Sequence, residues 1–470
     1  MRARHLDIYC LAIGGTGMAP LACLLQAEGH HVRGADGPLY PPMSTLLEKA
    51  GIRPHLGYDG SHLEPRPDLV VVGNAIHRAN VEAVEAERLG LPLMSMPQAL
   101  AHFFLAGRQP LVVAGTHGKT TTTAMAAWVY RECGADPGYL IGGAPRDLET
   151  GFARGAGRRF IVEGDEYNAA YFDRGAKFLH YRPETLVVTS VEYDHADLYP
   201  SPAALRGAYG RLLALVPPTG LLAACGDDAE LRDLARQARS QVIFYGLAEG
   251  NQVRPAAGFE SAPEASRFGL HDPEAGEVEI ELPLAGGHNV ANALAVWAVA
   301  RRDGLPAAAV AGALARFHGV KRRLEELGTA RGVIVVDDFA HHPTAVAKTL
   351  AALRQRYPGH RLVALFEPRS LTAGRRMFGD SYRAAFAGAD RVLFAPTFHG
   401  ARLAAEERLD FAALAAELSA AGVPADLCPD TATVLRRALG ESRAGDVLVT
   451  MSSGAFDGMP ARLLTALLEL

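Results

Sequence analysis

At 470 residues the chain is longer than one ordinary hydrophobic core organises; at roughly 100 to 200 residues per domain, three domains are expected. Its 49% hydrophobic and 21% charged residues are the balance of a soluble globular protein and exclude a disordered chain. A net charge of −5 with no basic block excludes nucleic acid as an expected partner, and no apolar run reaches the roughly 20 residues that span a bilayer, so no membrane partner is expected.

The first residues, Arg2-Ala3-Arg4-His5 before an apolar stretch, have the outline of a secretion signal. Asp7 interrupts it and Gly14-Gly15 follows at once, so a first β-strand over 6–13 is the reading. Gly14-Gly15-Thr16-Gly17 then forms a tight turn, and a helix is predicted over 18–29 with Pro20 in its first turn, where proline is tolerated. A second strand over 31–35 ends at Asp36, about 20 residues on, where a dinucleotide fold places its ribose-binding acid. Pro20 stands where G-x-G-x-x-G has its third glycine, which weakens an NAD-dependent dehydrogenase or regulator reading. Strands over 69–72 and 91–94 complete a first domain, 1–107, and Gly107-Arg108-Gln109-Pro110 marks its boundary.

The second domain, 108–320, opens with a strand over 110–114, the loop Gly115-Thr116-His117-Gly118-Lys119-Thr120-Thr121 and a helix over 119–133. Strand, glycine loop and helix are the context a phosphate-binding loop requires. Gly115 and Gly118 let backbone N–H groups close around phosphate oxygens, and the helix N-terminus adds partial positive charge. Lys119 reaches terminal phosphates and Thr120 holds Mg²⁺, which makes ATP and Mg²⁺ the expected cofactors. Val113 occupies the place of the first glycine in G-x-x-x-x-G-K-[ST], so the loop is a shortened variant, and a ligand-free glycine turn is the competing reading.

Strands over 159–162 and 185–189 follow, then a β-rich stretch over 220–284 in which the Pro-, Ala-, Gly- and Glu-rich tract 256–276 reads as a surface loop. A helix follows Gly286-Gly287. The third domain, 321–470, has strands over 332–336, 361–366, 391–394 and 446–450 with helices between. The alternation predicts an α/β fold with mainly parallel sheets, the outer domains Rossmann-like and the central one a P-loop ATPase domain. Five scattered cysteines without C-x-x-C spacing read as reduced thiols of a cytoplasmic protein.

Ligands of open α/β sheets gather beyond the C-terminal ends of strands. There Glu163 leads into Gly164-Asp165-Glu166, carboxylates for Mg²⁺ or a solvated acidic loop. His195, in Asp194-His195-Ala196-Asp197, offers a metal a nitrogen or is an ordinary surface histidine. Asn289 and Asn292 share a helix face and suit an adenine edge, with Asn289 equally placed to cap the helix. Arg322 and Arg323 sit at the second boundary, where cations suit phosphates, although a solvated basic face is the default. Asp337-Asp338-Phe339-Ala340-His341-His342-Pro343 follows a strand; two adjacent histidines point different ways, so hydrogen bonding suits them better than zinc. Glu367-Pro368-Arg369-Ser370 brings an arginine suited to a carboxylate.

Together these segments resemble the Mur ligase family, the ATP-dependent amide-forming enzymes of peptidoglycan synthesis, along the whole chain. The loop from Gly115 to Thr121 is similar to that family's phosphate loop, which accounts for Val113. The residues from Tyr40 to Lys49, Glu166-Tyr167 with Phe172 to Phe178, Asp338 to Thr344 and Glu367 to Ser370 are similar to a recycling branch. That branch joins UDP-N-acetylmuramate to the murein tripeptide L-alanyl-γ-D-glutamyl-meso-diaminopimelate; a sibling that adds L-alanine to the same nucleotide sugar is the alternative.

The resemblance implies that Lys119 and Thr120 hold ATP phosphates and Mg²⁺, while Glu163 and His195 serve a further Mg²⁺. It places Asn289 and Asn292 at adenine, Arg323 at the phosphates and Asp338 at the ribose, and leaves His341 or His195 to assist the attacking amine. Gly15, Thr16, Gly17, Met18 and Asp36 become candidates for the nucleotide sugar, and Arg369, Ser370 and Ser453 for the peptide. No lysine lies between Lys177 and Lys321, so a carbamylated lysine at the second metal is not expected. A monomer or weak homo-oligomer is expected.

Overall fold

The computed structural model describes residues 5–196, 198–262, 265–272 and 274–469. The signal-like residues 2–4 and Asp197 of the acidic string therefore lie outside the described residues. The chain divides into two compact units. The first runs to Glu192 and adds Ala203–Val253 and Leu294–Ala313; the second takes Tyr193–Pro202, Arg254–Ala293 and Leu314–Leu470.

In the first unit the strands β1 (Asp7–Leu11), β2 (His31–Asp36), β3 (His55–Leu56), β4 (Leu69–Val72) and β5 (Leu93–Ser95) form a sheet in the order β3-β2-β1-β4-β5. Its pairs are all parallel. The order in which the chain lays down its strands reverses between β1 and β4, and such a switch point is where an open parallel sheet binds ligands. The turn Gly14–Gly17 leaves β1 at that point and enters the helix Met18–Ala27, with Pro20 in its first turn as expected.

The second sheet of this unit contains β6 (Gln109–Ala114), β7 (Gly138–Leu140), β8 (Phe152–Ala153), β9 (Arg159–Gly164), β12 (Thr185–Val188), β13 (Leu221–Cys225) and β14 (Gln241–Tyr245). Their order is β14-β13-β12-β6-β9-β7-β8. Only β8 runs antiparallel to its neighbour. Ala114 is in register with Gly164 of β9 and Val188 of β12, so three strand ends open side by side. The β6 residues Leu111 to Ala114 are wholly buried, the run of apolar residues a strand covered on both faces requires. A hairpin of β10 (Asn168–Ala170) and β11 (Asp173–Ala176) stands beside this sheet. It ties the two sheets of the unit together, since Ala170 joins the first sheet's hydrophobic cluster and Tyr171 donates to Glu87 at 2.8 Å.

The second unit corrects the reading of residues 256–276 as a surface loop, apart from 263, 264 and 273, which lie outside the described residues. The tract contains β15 (Glu260–Ser261) and β16 (Ser266–Asp272), paired antiparallel with each other and, through β16, with β17 (Gly276–Leu282). Composition was misleading there because the structural signal is alternation: Ser266, Phe268, Leu270 and Asp272 are buried while Arg267 and His271 are exposed.

The third sheet contains β18 (Glu325–Ala330), β19 (Val333–Asp338), β20 (Arg361–Phe366), β21 (Arg391–Phe394), β22 (Ala425–Leu427) and β23 (Asp446–Met451) in the order β18-β19-β23-β20-β21-β22. All but edge strand β18 are parallel. Gly332, expected inside a strand, instead forms the β18–β19 turn with Arg331, both at positive φ (75° and 54°), the geometry of a two-residue hairpin. Successive residues of β20 feed opposite faces: Phe366 packs in an aromatic cluster with Phe386, Phe394 and Phe411, and Leu365 packs with Val335, Leu448 and Phe456.

Candidate active site

The phosphate loop takes its shape from two glycines in left-handed backbone, Gly115 at φ 133° and Gly118 at φ 82°. A Cβ on Gly115 would lie 2.1 Å from Thr189 Oγ1, so the close approach of two loops also demands glycine. Residues 189–192, just after β12, strap the loop down. Thr116 N donates to Ser190 O (3.0 Å) and His117 N to Ser190 Oγ (3.1 Å), while Thr116 Oγ1 bridges Glu192 O and Glu192 N, both at 2.9 Å. His117 Nε2 pairs with Glu192 Oε2 at 2.9 Å. The amides of Thr116 and His117, expected to hold phosphate, are thus already donated to the strap. The first ladder bond of the helix Lys119–Glu132 runs from Thr122 N to Gly118 O, so the amides of Lys119, Thr120 and Thr121 precede the ladder at a positive helix end.

Buried charge completes this end of the sheet. Lys119 Nζ contacts both oxygens of Glu166 at 3.0 and 3.1 Å and donates to Gly115 O at 2.6 Å. Thr120 Oγ1 donates to Glu163 Oε1 at 2.9 Å, and Gly142 N donates to Glu163 Oε2 at 2.8 Å. Burial opposes the charge on Lys119, but Glu166, Asp165 and Glu163 outweigh it and hold the ammonium above its ordinary range. Glu163 moves up as well, through burial first and the charge of Asp165 second, against the pull of Lys119. Hydroxyl and carboxylate oxygens converging beside a lysine suit a hard cation and phosphate together, and this donor set fits Mg²⁺. Ser190, Glu192 and the pairing of Glu166 with Lys119 escaped the sequence reading, since their partners lie 47 to 76 residues away in the chain.

The first-domain turn is organised differently. Asp36 Oδ2 accepts Gly14 N at 2.8 Å, and its Oδ1 accepts Gly37 N at 2.7 Å and Tyr58 OH at 3.1 Å. Asp36 therefore braces the turn, and with three donors on about four lone-pair sites it too retains room for one more. Met18 is 3% exposed and its side chain belongs to the core, so among the candidates there only its main chain can meet a ligand, alongside Gly15, Thr16 and Gly17.

In the second unit, His195 sits at φ 54° with its N–H on Asp194 Oδ1 (2.6 Å) and Thr372 Oγ1 (3.1 Å). Burial alone would raise the Asp194 carboxyl, yet His195, His341 and His342 hold it well below the usual carboxylate range, which gathers three histidines about one acid. His341 Nδ1 lies 3.0 Å from Phe339 O; a carbonyl only accepts, so Nδ1 carries a proton and donates it there. His342 caps the helix Pro343–Arg356 through Thr344 N.

Asn289 and Asn292 are both buried; Asn289 Nδ2 donates to Ala285 O (2.8 Å) and Asn292 Nδ2 approaches Asn289 Oδ1 (3.4 Å). Because the helix starts at Gly287, Asn289 lies inside it and is not its cap. Arg323 stacks on Phe339 at 4.8 Å. Its charge acts on Asp338 and, with burial first and Lys348 second, helps push His288 down to about 4, so helix start, arginine and acid form one neighbourhood. Asp338 is raised by burial and accepts Leu324 N (2.7 Å), Ala340 N (2.8 Å) and Thr349 Oγ1 (3.1 Å); with about four lone-pair sites, a carboxylate so engaged retains room for one more donor. Arg369 follows β20, Ser370 Oγ accepts Ala373 N (3.0 Å), and Ser453 is partly exposed beside the buried Ser452.

Three family descriptions match the chain: "Mur ligase family, catalytic domain" over residues 7–108, "Mur ligase middle domain" over 113–300 and "Mur ligase, glutamate ligase domain" over 322–454. The chain is 40% identical to the UDP-N-acetylmuramate–L-alanyl-γ-D-glutamyl-meso-2,6-diaminoheptandioate ligase of Escherichia coli (strain K12), covering 98% of each. It is 34% identical to the UDP-N-acetylmuramate–L-alanine ligase of Acidithiobacillus ferrooxidans (strain ATCC 53993 / BNL-5-31), again over 98% of each. Among solved structures, a murein peptide ligase from Psychrobacter arcticus 273-4 superposes with a TM-score of 0.74 at 32% identity, over 99% of both chains.

Proposed function

The chain belongs to the Mur ligase family of ATP-dependent ligases, and from that premise we propose that it joins UDP-N-acetylmuramate to the tripeptide L-alanyl-γ-D-glutamyl-meso-diaminopimelate, releasing ADP and phosphate. The observation that carries the ligase chemistry is the buried pairing of Lys119 with Glu166 and of Thr120 with Glu163 at the mouth of a strapped phosphate loop. Residues 1–107 take the nucleotide sugar, 108–320 ATP, and 321–470 the peptide. The activity belongs in the cytoplasm; among the described residues no helix is long and apolar enough to cross a membrane.

A carboxylate resists attack by an amine until one of its oxygens becomes a good leaving group. ATP supplies that change by phosphorylating the muramate carboxylate, and Mg²⁺ neutralises the charge crowded there. The chain's own part is to place and stabilise. Lys119 follows the charge of the transferred phosphoryl group, which requires it to exchange Glu166 for phosphate oxygens. The amides of residues 119–121 bind the same oxygens at the helix end. Thr120 and Glu163 would hold Mg²⁺, and His195 is a further proposed metal ligand. Asn289, Asn292, Arg323 and Asp338 receive the nucleoside and phosphates. His341, oriented by its Nδ1 hydrogen bond to Phe339 O, takes up the proton of the attacking amine when neutral. Gly15, Thr16 and Gly17 bind the nucleotide sugar by main chain, with Asp36 as their brace.

The test is UDP-N-acetylmuramate-dependent phosphate release with the tripeptide and, separately, with L-alanine. Turnover with the tripeptide at least about tenfold above that with L-alanine is expected; turnover with free L-alanine alone refutes the proposal in favour of the sibling activity.

A further inference from the structure

We infer that Phe398 is a positioning residue of the peptide site, the platform that holds the Arg369 guanidinium ready for a carboxylate flanked by an aliphatic chain. The inference rests on the proposed function for the identity of the peptide. Arg369 leaves the C-terminal end of β20, a central strand of a largely parallel sheet, where such sheets bind ligands. Its Cζ lies 3.9 Å from the Phe398 ring centroid, whereas the other such cation–ring contacts described lie at 4.8 to 5.8 Å.

The slot is closed on its other sides. Glu367 stands 3.6 Å from Arg369 Nη1, close enough to orient the charge but too far for a good hydrogen bond. Glu367 is itself held by Ser452 Oγ at 2.5 Å. A Cβ on Gly454 would lie 2.0 Å from Arg369 Cδ and Nε, so the arginine stem lies directly on the Gly454 backbone. That backbone is fixed in turn, its N–H on Ser452 Oγ (2.9 Å) and its carbonyl accepting Arg322 Nη2 (2.5 Å). The Phe398 segment is docked through Phe398 N on Pro368 O at 3.1 Å.

Two features turn this packing into a receptor. Arg369 is held on several sides, yet no hydrogen bond from its guanidinium is present among the described residues, and its side chain is 29% exposed. Phe398 is 54% exposed, a large ring outside the core that carries that guanidinium over its face and meets the His399 ring in a T-shaped contact, centroids 4.8 Å apart. A fixed fork of unspent N–H donors suits a carboxylate, and the adjacent ring offers an apolar wall to methylenes leading up to it. A diaminopimelate or glutamate carboxylate of the tripeptide has that chemistry; L-alanine has no such methylenes.

The experiment measures KM for tripeptide, ATP and UDP-N-acetylmuramate in the full-length wild type, Phe398→Leu, Phe398→Tyr, Arg369→Ala and the double variant Phe398→Leu/Arg369→Ala. Phe398→Leu is expected to raise the tripeptide KM roughly five- to tenfold, the size of one partly desolvated cation–π contact, with kcat and the other two KM values changing less than about twofold. Phe398→Tyr is expected to restore the wild-type tripeptide KM, and Phe398→Leu to add nothing in the Arg369→Ala background. An unchanged tripeptide KM in Phe398→Leu overturns the inference alone, as does an equal rise in all three KM values or an additive double variant. No tripeptide turnover in the wild type overturns the proposed function and this inference with it.

Discussion

Two glycine turns in this chain join a buried parallel strand to a helix: Gly14–Gly17 after β1 and Gly115–Gly118 after β6. They differ in what holds them. In the second, Gly115 and Gly118 adopt left-handed backbone; in the first, that conformation falls on Ala12 (φ 61°), and none of the turn glycines uses it. The second turn is strapped by residues 189–192 and faces a lysine among buried carboxylates. The first is braced by one aspartate that accepts two backbone amides and a phenol. Glycine therefore marks crowding at both turns, by a second loop at Gly115 and by side chains at Gly14 and Gly17, whereas charge and that second loop set apart the turn proposed to take the triphosphate.

The comparison breaks hardest at Lys119. Lys119→Ala is expected to lower kcat on the order of 10³-fold or more, because the transferred phosphoryl charge loses the ammonium held on the loop's own Gly115 carbonyl. Circular dichroism is expected to report an intact fold, and retained ligation would remove Lys119 from the mechanism. Next comes Gly115→Ala, which places a methyl against Thr189 Oγ1 and the Ser190 amide at a φ unsuited to alanine. A loss of about 10²-fold in kcat/KM for ATP is expected. The matching change at the first turn, Gly17→Ala, meets only the mobile end of Met96 at 2.9 Å and is expected to alter folding stability by less than about 1 kcal/mol in urea titration. Equal stability losses at the two positions would erase the distinction.

Two intermediate effects sharpen it. Adding Mg²⁺ to the nucleotide-free protein is expected to raise Tm in the wild type and not in Glu163→Gln, since ligands that bind only the folded state stabilise it by mass action. A shift preserved in Glu163→Gln would place the ion elsewhere. Glu192→Ala removes the hydrogen bond to His117 Nε2 but leaves the Thr116 and Ser190 bonds of the strap. A threefold to tenfold rise in KM for ATP is expected, with kcat affected less; a rise in the nucleotide-sugar KM instead would show that the strap serves the other turn.

Much of this architecture was legible because buried parallel strands are short apolar runs: Leu69–Val72, Arg361–Phe366 and Arg391–Phe394 were read to the residue. The phosphate loop was legible because its glycines and lysine are adjacent in the chain. The hairpin Asn168–Ala170 with Asp173–Ala176 was not, since it has too few apolar residues to show a period and is stabilised by packing on another sheet. Edge strand Glu325–Ala330 carries two acids and a glycine and little β-propensity, so pairing with β19 decides it. Asp36 was found as a strand-end acid, but its bracing of the neighbouring turn was not legible, because only its partners Gly14 N and Gly37 N reveal it. The strap was invisible for the plainest reason: its contacts span 72 to 76 residues of sequence.

The smallest expected effect tests the brace itself. Tyr58 OH is one of three donors on Asp36, and burial first, then the Asp36 charge, keep its phenol protonated and able to donate. Tyr58→Phe removes that donor while Gly14 N and Gly37 N still hold the carboxylate, so the turn keeps its shape and the carboxylate is not left bare. A loss of about 1 kcal/mol in unfolding free energy is expected, the ordinary net worth of one hydrogen bond. The KM for UDP-N-acetylmuramate is expected to rise by less than about threefold, and the KM for ATP to stay put, because no brace residue touches the phosphate loop. If the ATP KM rose as far as the nucleotide-sugar KM, the two turns would be one coupled device, and the contrast between a braced turn and a charged one would lose its functional meaning.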